Sequence, residues 1–430
     1  MLSRREFMQA ALAAGTAVAT VGPQRTRIAF GAEARSANEK LNLAVIGVAA
    51  RGGANLKGVS HENIVALCDI DSQRLEQAAA EFPSARKLVD FRDVFSLSGL
   101  DGVVVSTPDH THAIPVATAL KTGLPVYCEK PLTHSVYEAR VLRRLNAQAN
   151  VATQMGNQIH SDANYRRVVE IVRSGLLGEI ARVHVWQGGT IKEGIRVKEG
   201  TPPAHVNYDL WTGPAPMRPY HESHFHFNWR YWWDYGGGQL ADFGCHYMDL
   251  PFWALELKAP TTVTAKGEKA PNGENDTPGK MQVDYQFPAR GGYPAVHLTW
   301  YHGGWMPEGA ETYKKNSGVL FEGTEGKLIA DYGTNKVFLN SGATAAPVQP
   351  WIPDSIGHHK EWCRAIRTGE TTGSNFEYGA TMTEAVHLGN VAYRVGQPIT
   401  WDAQALKCVD CPAADQFLRR EYRQGWTLPT

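Results

Sequence analysis

The stretch Leu41-Asn-Leu-Ala-Val-Ile-Gly-Val-Ala-Ala-Arg-Gly-Gly53 decides the reading of this chain. It begins as a short apolar run rich in β-branched residues and ends in a turn of small residues. That is the pattern of a buried parallel strand that stops at a glycine loop. Similar runs follow at Asn63–Cys68, Gly102–Ser106, Leu124–Cys128 and Val151–Met155. Helix-like stretches separate them, over Ser72–Glu81, His110–Lys121 and Thr133–Ala149. Strands that alternate with helices predict βαβ units and a parallel sheet. Each strand candidate ends in a polar or glycine-containing cluster, and in open α/β sheets that edge is where ligands bind.

The loop Gly47-Val48-Ala49-Ala50-Arg51-Gly52 follows a strand and precedes a helix, as the dinucleotide fingerprint G-x-G-x-x-G requires, with Ala49 in place of the middle glycine. A methyl group there limits how closely backbone approaches a pyrophosphate. Asp69 ends the second strand about 20 residues further on, placed to accept hydrogen bonds from a ribose hydroxyl and to repel a 2′-phosphate. The combination predicts NAD in preference to NADP.

Lys+Arg and Asp+Glu both number 43, so no charge imbalance points to nucleic acid or an anionic membrane. A hydrophobic content of 43% and a charged content of 20% are ordinary for a globular protein, and 430 residues accommodate two domains. The chain opens Ser3-Arg4-Arg5-Glu6-Phe7, continues through a small apolar run from Ala10 to Val21, and reaches Ala32-Glu33-Ala34. This is a basic region, a short apolar region and an A-x-A cleavage site. The Arg pair resembles the twin-arginine export signal, and the apolar run falls short of the roughly 20 residues a membrane span needs. Residues 1–34 are therefore expected to be a signal peptide handled by the twin-arginine translocase. The mature protein would be periplasmic, without a membrane anchor, and would carry a cofactor trapped before export. Of six cysteines, Cys68 and Cys128 sit in apolar strand-like runs and are expected as buried thiols. Cys408 and Cys411 have C-x-x-C spacing, but no second pair completes a zinc site.

Lys130 follows the fourth strand, at the ligand edge, and Pro131 restricts its backbone. A lysine there can hydrogen-bond a substrate oxygen and stabilise a developing alkoxide. Taken together, Ser106-Thr-Pro-Asp-His-Thr-His112, Glu129-Lys130-Pro131 and Asp242-Phe-Gly-Cys-His246 resemble the motifs of the Gfo/Idh/MocA family (glucose–fructose oxidoreductase, inositol dehydrogenase, rhizopine catabolism). Tyr208-Asp-Leu-Trp-Thr-Gly-Pro-Ala-Pro216 and Asp234-Tyr-Gly-Gly-Gly-Gln-Leu-Ala-Asp242 are similar to its exported branch. The resemblance covers most of the chain. It implies a nicotinamide-dependent oxidoreductase, no catalytic metal, and a second domain whose open sheet makes oligomer contacts.

After Asn157-Gln158 the βαβ rhythm stops. Asn164–Ser174 reads as one more amphipathic helix, and Ile180–Trp186 as a half-buried strand. Further strand candidates are Thr261–Ala265, Met281–Phe287, Ala295–Tyr301, Val319–Glu322 and Lys327–Tyr332, with a loop over Lys269–Lys280. Runs of strands with few helices between them predict a mostly antiparallel sheet. Gly236-Gly237-Gly238 would let a loop approach the cofactor. Asp242, His246 and Asp249 then stand at i, i+4 and i+7, one stripe of a helix. His246 is the natural general base, and Asp242 would hold the sugar or fix the imidazole. The alternative is a buried, helix-internal polar pair. His221, His224 and His226 read as a metal cluster, a substrate-facing loop or plain loop polarity. His358 and His359 are candidates to line the site. Trp229, Arg230, Trp232 and Trp233 form an aromatic–basic run that would stack on a sugar, fill the core or make a subunit interface. The twelve tryptophans concentrate between Trp186 and Trp305, hinting at an aromatic surface there.

The expected architecture is α/β plus α+β: an N-terminal Rossmann domain over 35–158, then a mostly antiparallel open-sheet α+β domain over 159–430. The catalytic candidates are Lys130, Asp242 and His246. The cofactor candidates are Gly47, Val48, Ala49, Arg51, Gly52, Asp69, Ile70, Ser106, Thr107, Pro108, His110, His112, Glu129, Lys130, Asn157 and Gln158. The substrate candidates are Lys130, Asn157, Trp229, Arg230, Asp242 and His246. The expected activity is hydride transfer between tightly bound NAD and a carbinol carbon of a sugar, polyol or glycoside, in a homo-oligomer, dimer or tetramer. One rival reading is glycoside cleavage by transient oxidation, elimination and re-reduction. Another is a non-catalytic sugar- or nucleotide-binding protein.

Overall fold

The computed structural model describes residues 39–189, 191 and 193–430, so the expected signal peptide over 1–34 lies outside the described residues. The quoted stretch forms strand β1 (Asn42–Ile46), a tight turn and helix α1 (Arg51–Val59). Then follow β2 (Asn63–Cys68), α2 (Ser72–Glu81), β3 (Arg86–Leu88), β4 (Gly102–Val105), α3 (Ala113–Lys121), β5 (Val126–Cys128), α4 (Val136–Ala149) and β6 (Thr153–Met155). These strands make a sheet of order β3-β2-β1-β4-β5-β6 with every pairing parallel. The chain direction across the sheet reverses between β1 and β4, which is the ligand-binding switch point of such folds. Val103, Val104 and Val105 of β4 are wholly buried, as a central strand covered by helices on both faces must be.

Local chemistry sets the element ends. Asp71 caps α2 by accepting from the Gln73 and Arg74 amides. Ser135 and Glu138 form a capping box, so α4 starts at Val136 and not at Thr133. A 3₁₀ turn over Asp109–Thr111 takes the first residues expected for α3. The edge strand β3 escapes a hydrophobic reading because Leu88 is its one apolar residue.

The second sheet comes after helix α5 (Ala163–Arg173). Its elements are β7 (Ile180–Gln187), α6 (Gly238–Tyr247), α7 (Asp249–Ala254), β8 (Thr262–Lys269), β9 (Pro278–Phe287), β10 (Val296–His302), β11 (Gly318–Gly323), β12 (Gly326–Ala330), β13 (Asn335–Leu339), α8 (His358–Thr368), α9 (Phe376–Val395), β14 (Ile399–Asp402) and β15 (Lys407–Cys408). The order is β13-β12-β11-β7-β10-β9-β8-β14-β15, antiparallel except for β7 with β10. Helix α9, buried along most of its length, packs on α4 of the first sheet and on α6 and β8 of the second. Helix α8 returns to pack on α1.

Two sequence readings are corrected. Asp242, His246 and Asp249 do not share one stripe. Pro251 has no N–H to donate to the Tyr247 carbonyl, α6 ends at Tyr247, and Asp249 opens α7. There it accepts from His160 Nδ1 at 3.0 Å and Tyr378 Oη at 2.6 Å, wholly buried. The tryptophans are mostly core rather than surface. Trp186 and Trp300 are fully buried, and Trp211, Trp229 and Trp232 pack with Tyr231 and Tyr235 in one buried cluster. The six cysteines are all free and buried.

The turn before α1 holds Gly47 at φ +82° and Ala50 at φ +49°, ψ −115°. A Cβ on Gly47 would lie 2.6 Å from the Ser106 carbonyl oxygen, so glycine is obligatory there. Ala50 is strained, since such backbone costs a non-glycine residue about 1–3 kcal/mol. Ala50→Gly relieves this against an unfolded-state penalty of about 0.4–1 kcal/mol. We expect it to stabilise the protein by about 1 kcal/mol in urea titration, whereas Gly47→Ala should destabilise it by more than that. Equal or lower stability for Ala50→Gly would contradict the strain.

Candidate active site

The carboxyl ends of β1, β2, β4 and β5 open onto a crevice of about 370 Å³, closed opposite by residues 210–230 and by α6. On the first side the backbone is prepared for an anion. Helix α1 has no side-chain cap and no acidic residue in its first turn. Its N–H groups and the positive end of its dipole are therefore available to a phosphate. A Cβ on Gly52 would fall 2.1 Å from the Gly47 carbonyl oxygen, so the loop can fold this tightly only with glycine at both ends. Asp69 accepts from the Val48 and Asp71 amides, each at 3.0 Å, which fixes its carboxylate at the crevice wall. Burial raises its pKa, against those two amide bonds. These residues fit a dinucleotide: a glycine turn for a pyrophosphate and an oriented carboxylate for a ribose.

Glu129 holds the loop to the next strand. It accepts from Arg51 Nε at 3.1 Å and Asn55 Nδ2 at 2.9 Å, both on α1, and from the Lys130 amide at 3.2 Å. Gly156 leaves room for it, since a Cβ there would stand 2.6 Å from Glu129 Oε1. Lys130 then crosses to the second half of the chain. Its Nζ donates to Asp242 Oδ1 at 2.7 Å and also to the Asp242 carbonyl. Arg230 Nε lies 3.2 Å from the same Asp242 oxygen, and its guanidinium stacks over Trp229 and Phe227 at 4.3 and 4.5 Å. Burial opposes ionisation of Asp242, but Lys130 and Arg230 hold its carboxyl well below the ordinary range. His246 lies one turn further along α6 and lines the same crevice. Burial, then the Lys130 cation, pushes its imidazole well below its usual pKa, so the ring is neutral. Its Nδ1 is buried without a partner among the described residues, and the ring is not bonded to Asp242 there.

Five of the nominated residues do not line the crevice. Val48 and Gly52 serve the loop through backbone. His110 donates from Nε2 to the Trp211 carbonyl at 2.8 Å, and His112 spans the Pro131 and Thr107 carbonyls. Asn157 is buried and accepts from Ser374 Oγ. The other nominated residues do line it. Of the remaining histidines, His226 reaches the crevice and stands 3.5 Å from Asp71 Oδ2, while His224 packs against Trp232 and Tyr235. His358 donates to the Met155 carbonyl, and His359 bonds Asn55 and stacks on Tyr127, so both support the first sheet from behind. The sequence reading passed over Asp109, which sits inside the crevice. It lies within the Ser106–His112 motif, where no local spacing marks it as a crevice residue.

A family description, "Oxidoreductase family, NAD-binding Rossmann fold", matches residues 41–157, and "Oxidoreductase family, C-terminal alpha/beta domain" matches residues 161–428, both of the Gfo/Idh/MocA group. Inositol 2-dehydrogenase of Rhodococcus erythropolis is 30% identical over 154 residues, which is 35% of this chain and 44% of the relative. The chain thus spans less than half the length of the curated relatives it matches. Among solved structures, the WlbA dehydrogenase of Bordetella pertussis, in complex with NADH and UDP-GlcNAcA, shares the fold at a TM-score of 0.62 and 16% identity, covering 85% of this chain and 99% of that one. The aldose–aldose oxidoreductase of Caulobacter crescentus, complexed with glycerol, does so at 0.60 and 17%, covering 84% and 100%. With an NAD-binding Rossmann half and a C-terminal α/β half both matched, the chain belongs to the Gfo/Idh/MocA oxidoreductase family.

Proposed function

We propose that this protein oxidises a secondary hydroxyl of a sugar, polyol or glycoside with tightly held NAD. The observation that carries this reading is the Lys130–Asp242 pair at 2.7 Å, formed between the two halves inside the crevice that the Gly47 loop and Asp69 also line. Curated relatives named inositol 2-dehydrogenase support a polyol. Bound NAD supplies the hydride acceptor. The chain's own groups do the rest. Asp242, kept ionised, holds the Lys130 ammonium in place. Lys130 donates to the substrate oxygen and favours its developing negative charge. The neutral His246 takes the hydroxyl proton, and Arg230, braced on Trp229, orients the sugar.

Removing a general base typically costs roughly 10²–10⁴ in rate. Lys130→Met and His246→Ala should each lose at least 10² in kcat on a substrate found in a panel of sugars, polyols and glycosides, with NAD content unchanged. The double variant should be little worse than the worse single one, because the two act as a unit. Near-normal turnover in His246→Ala would refute the assignment. Following both NADH absorbance and released aglycone on the same panel separates net oxidation from cleavage through transient oxidation.

Tight retention of NAD is part of this reading. The segment around His205–Asn207 is tied to the residues that follow Asp69, which would limit movement at that edge: the Ser72 amide donates to the His205 carbonyl at 2.8 Å, and the Asn207 amide to the Ile70 carbonyl at 2.9 Å. We expect denaturation of the purified protein to release NAD or NADH in near-stoichiometric amount. Asp69→Ala should shift preference toward NADP by removing the repulsion of a 2′-phosphate. A protein that purifies empty and gains no thermal stability from added NAD would rule retention out. Such a cofactor would be loaded before export, which the Arg4-Arg5 motif supports. Replacing both arginines by lysine should leave the protein in the cytoplasmic fraction, and unchanged periplasmic yield would count against that route.

A further inference from the structure

The motif Tyr208-Asp-Leu-Trp-Thr-Gly-Pro-Ala-Pro216 takes no part in the chemistry above, yet Leu210 and Trp211 from its one-turn helix (Tyr208–Thr212) line the crevice. Five residues are too few for a helix to hold itself, so this wall depends on contacts from outside. Its start is tied to the cofactor side through the Asn207 amide and the Ile70 carbonyl. Its end leaves carbonyls that no helical N–H meets. A segment 210 residues further along meets them. Arg423 Nη2 donates to the Asp209 carbonyl and Nε to the Gly213 carbonyl, each at 3.0 Å. The Arg423 amide donates to the Pro214 carbonyl, also at 3.0 Å. Arg420, held on Glu138 of α4 at 2.9 Å, donates to the His110 carbonyl, and His110 Nε2 in turn bonds the Trp211 carbonyl. Gly213 presses on the turn after β4, where a Cβ would meet Thr111 Cγ2 at 2.9 Å.

We propose that Arg423 is a positioning residue for the nucleotide: with Arg420 it latches the Leu210–Trp211 wall in place and so sets how slowly bound NAD leaves the crevice. The inference rests on the tight retention proposed above. Neither arginine lines the crevice, so both act through the wall. A guanidinium suits this task because its planar fork bridges two carbonyls and stays charged. The wall cannot swing away from the turn after β4 while the carbonyls of Asp209, Gly213 and Pro214 remain bonded. The Asp209 carboxylate contributes less. It also pairs with Arg423, but its side chain is 63% exposed, so water and salt screen the pair. The Arg423 side chain is only 19% exposed, and its charge-assisted bonds to carbonyls carry the hold.

Displacement of bound NADH by excess NAD, followed by fluorescence, reads the release rate without a substrate. Arg423→Met should release NADH at least about tenfold faster than the wild type. Arg423→Lys, which keeps the charge but not the fork, should recover part of that change. Asp209→Asn should stay within about twofold of the wild type. Lys327→Ala, which removes an exposed ion pair with Glu322 on the second sheet, serves as the control for lost stability and should leave release unchanged. Wild-type release from Arg423→Met overturns the latch, and equal acceleration in Lys327→Ala does the same. If Arg423→Met does not fold, hydrogen–deuterium exchange of the wild type decides. Added NADH should then slow exchange in peptides covering residues 209–215 and 420–426, and no change there overturns the latch. A wild type that purifies empty refutes tight retention alone, because added NADH still reports the latch through its release. A wild type that binds no added NADH overturns both.

Discussion

The ion pair between Lys130 and Asp242 is the constraint on which the rest of the site depends. Each side chain is little more than a tenth exposed, so two charges have been withdrawn from water. Such burial is tolerable only with full compensation, and breaking one partner of a buried pair costs about 3–5 kcal/mol. Compensation is complete here: Arg230 adds a second cation to Asp242, and the Asp242 carbonyl accepts from Lys130 as well. The pair joins the end of β5 to the middle of α6 and so ties the two sides of the crevice together. His246 stands one turn along α6, and its place in the crevice is set by the same contact.

The cofactor side is organised by a parallel device. Glu129, next to Lys130 in sequence, reaches back to Arg51 and Asn55 on α1. One dipeptide thus fixes the phosphate-facing helix with its acid and the substrate-facing helix with its base. The strict glycines at 47 and 156 are the steric price of bringing those elements so close. Strain at Ala50 sits in the same turn, where the backbone must bend sharply beneath β4.

The first half was legible in the sequence because its strands are buried on both faces and read as unbroken apolar runs. The glycine loop and Asp69 sit at strand ends for the same topological reason. Edge strands β3, β13 and β15 were not legible, since exposed or two-residue strands carry little apolar signal. Lys130, Asp242 and His246 were found from motif and helical spacing, and they do share one crevice. Asp249 was misplaced because helical periodicity was extended through Pro251. His110 and His112 were misread as ligand contacts because a sequence does not show that backbone carbonyls from other loops consume their rings. Tryptophan density suggested a surface, but most of these rings are buried, with Trp211 and Trp229 forming part of the crevice wall. Asp109 went unnoticed because burial among distant cations gives a carboxyl its character, and no local spacing encodes that.

The central claim is that a carbinol carbon and the nicotinamide meet beside Lys130. Purified protein incubated with sugars and polyols deuterated at carbon tests it most directly, with the nucleotide then recovered by denaturation and read by mass spectrometry. The account predicts deuterium on the nicotinamide of the wild type and none in Lys130→Met that still carries its nucleotide. Conversion of a substrate by the wild type with no label on the recovered nucleotide would contradict it.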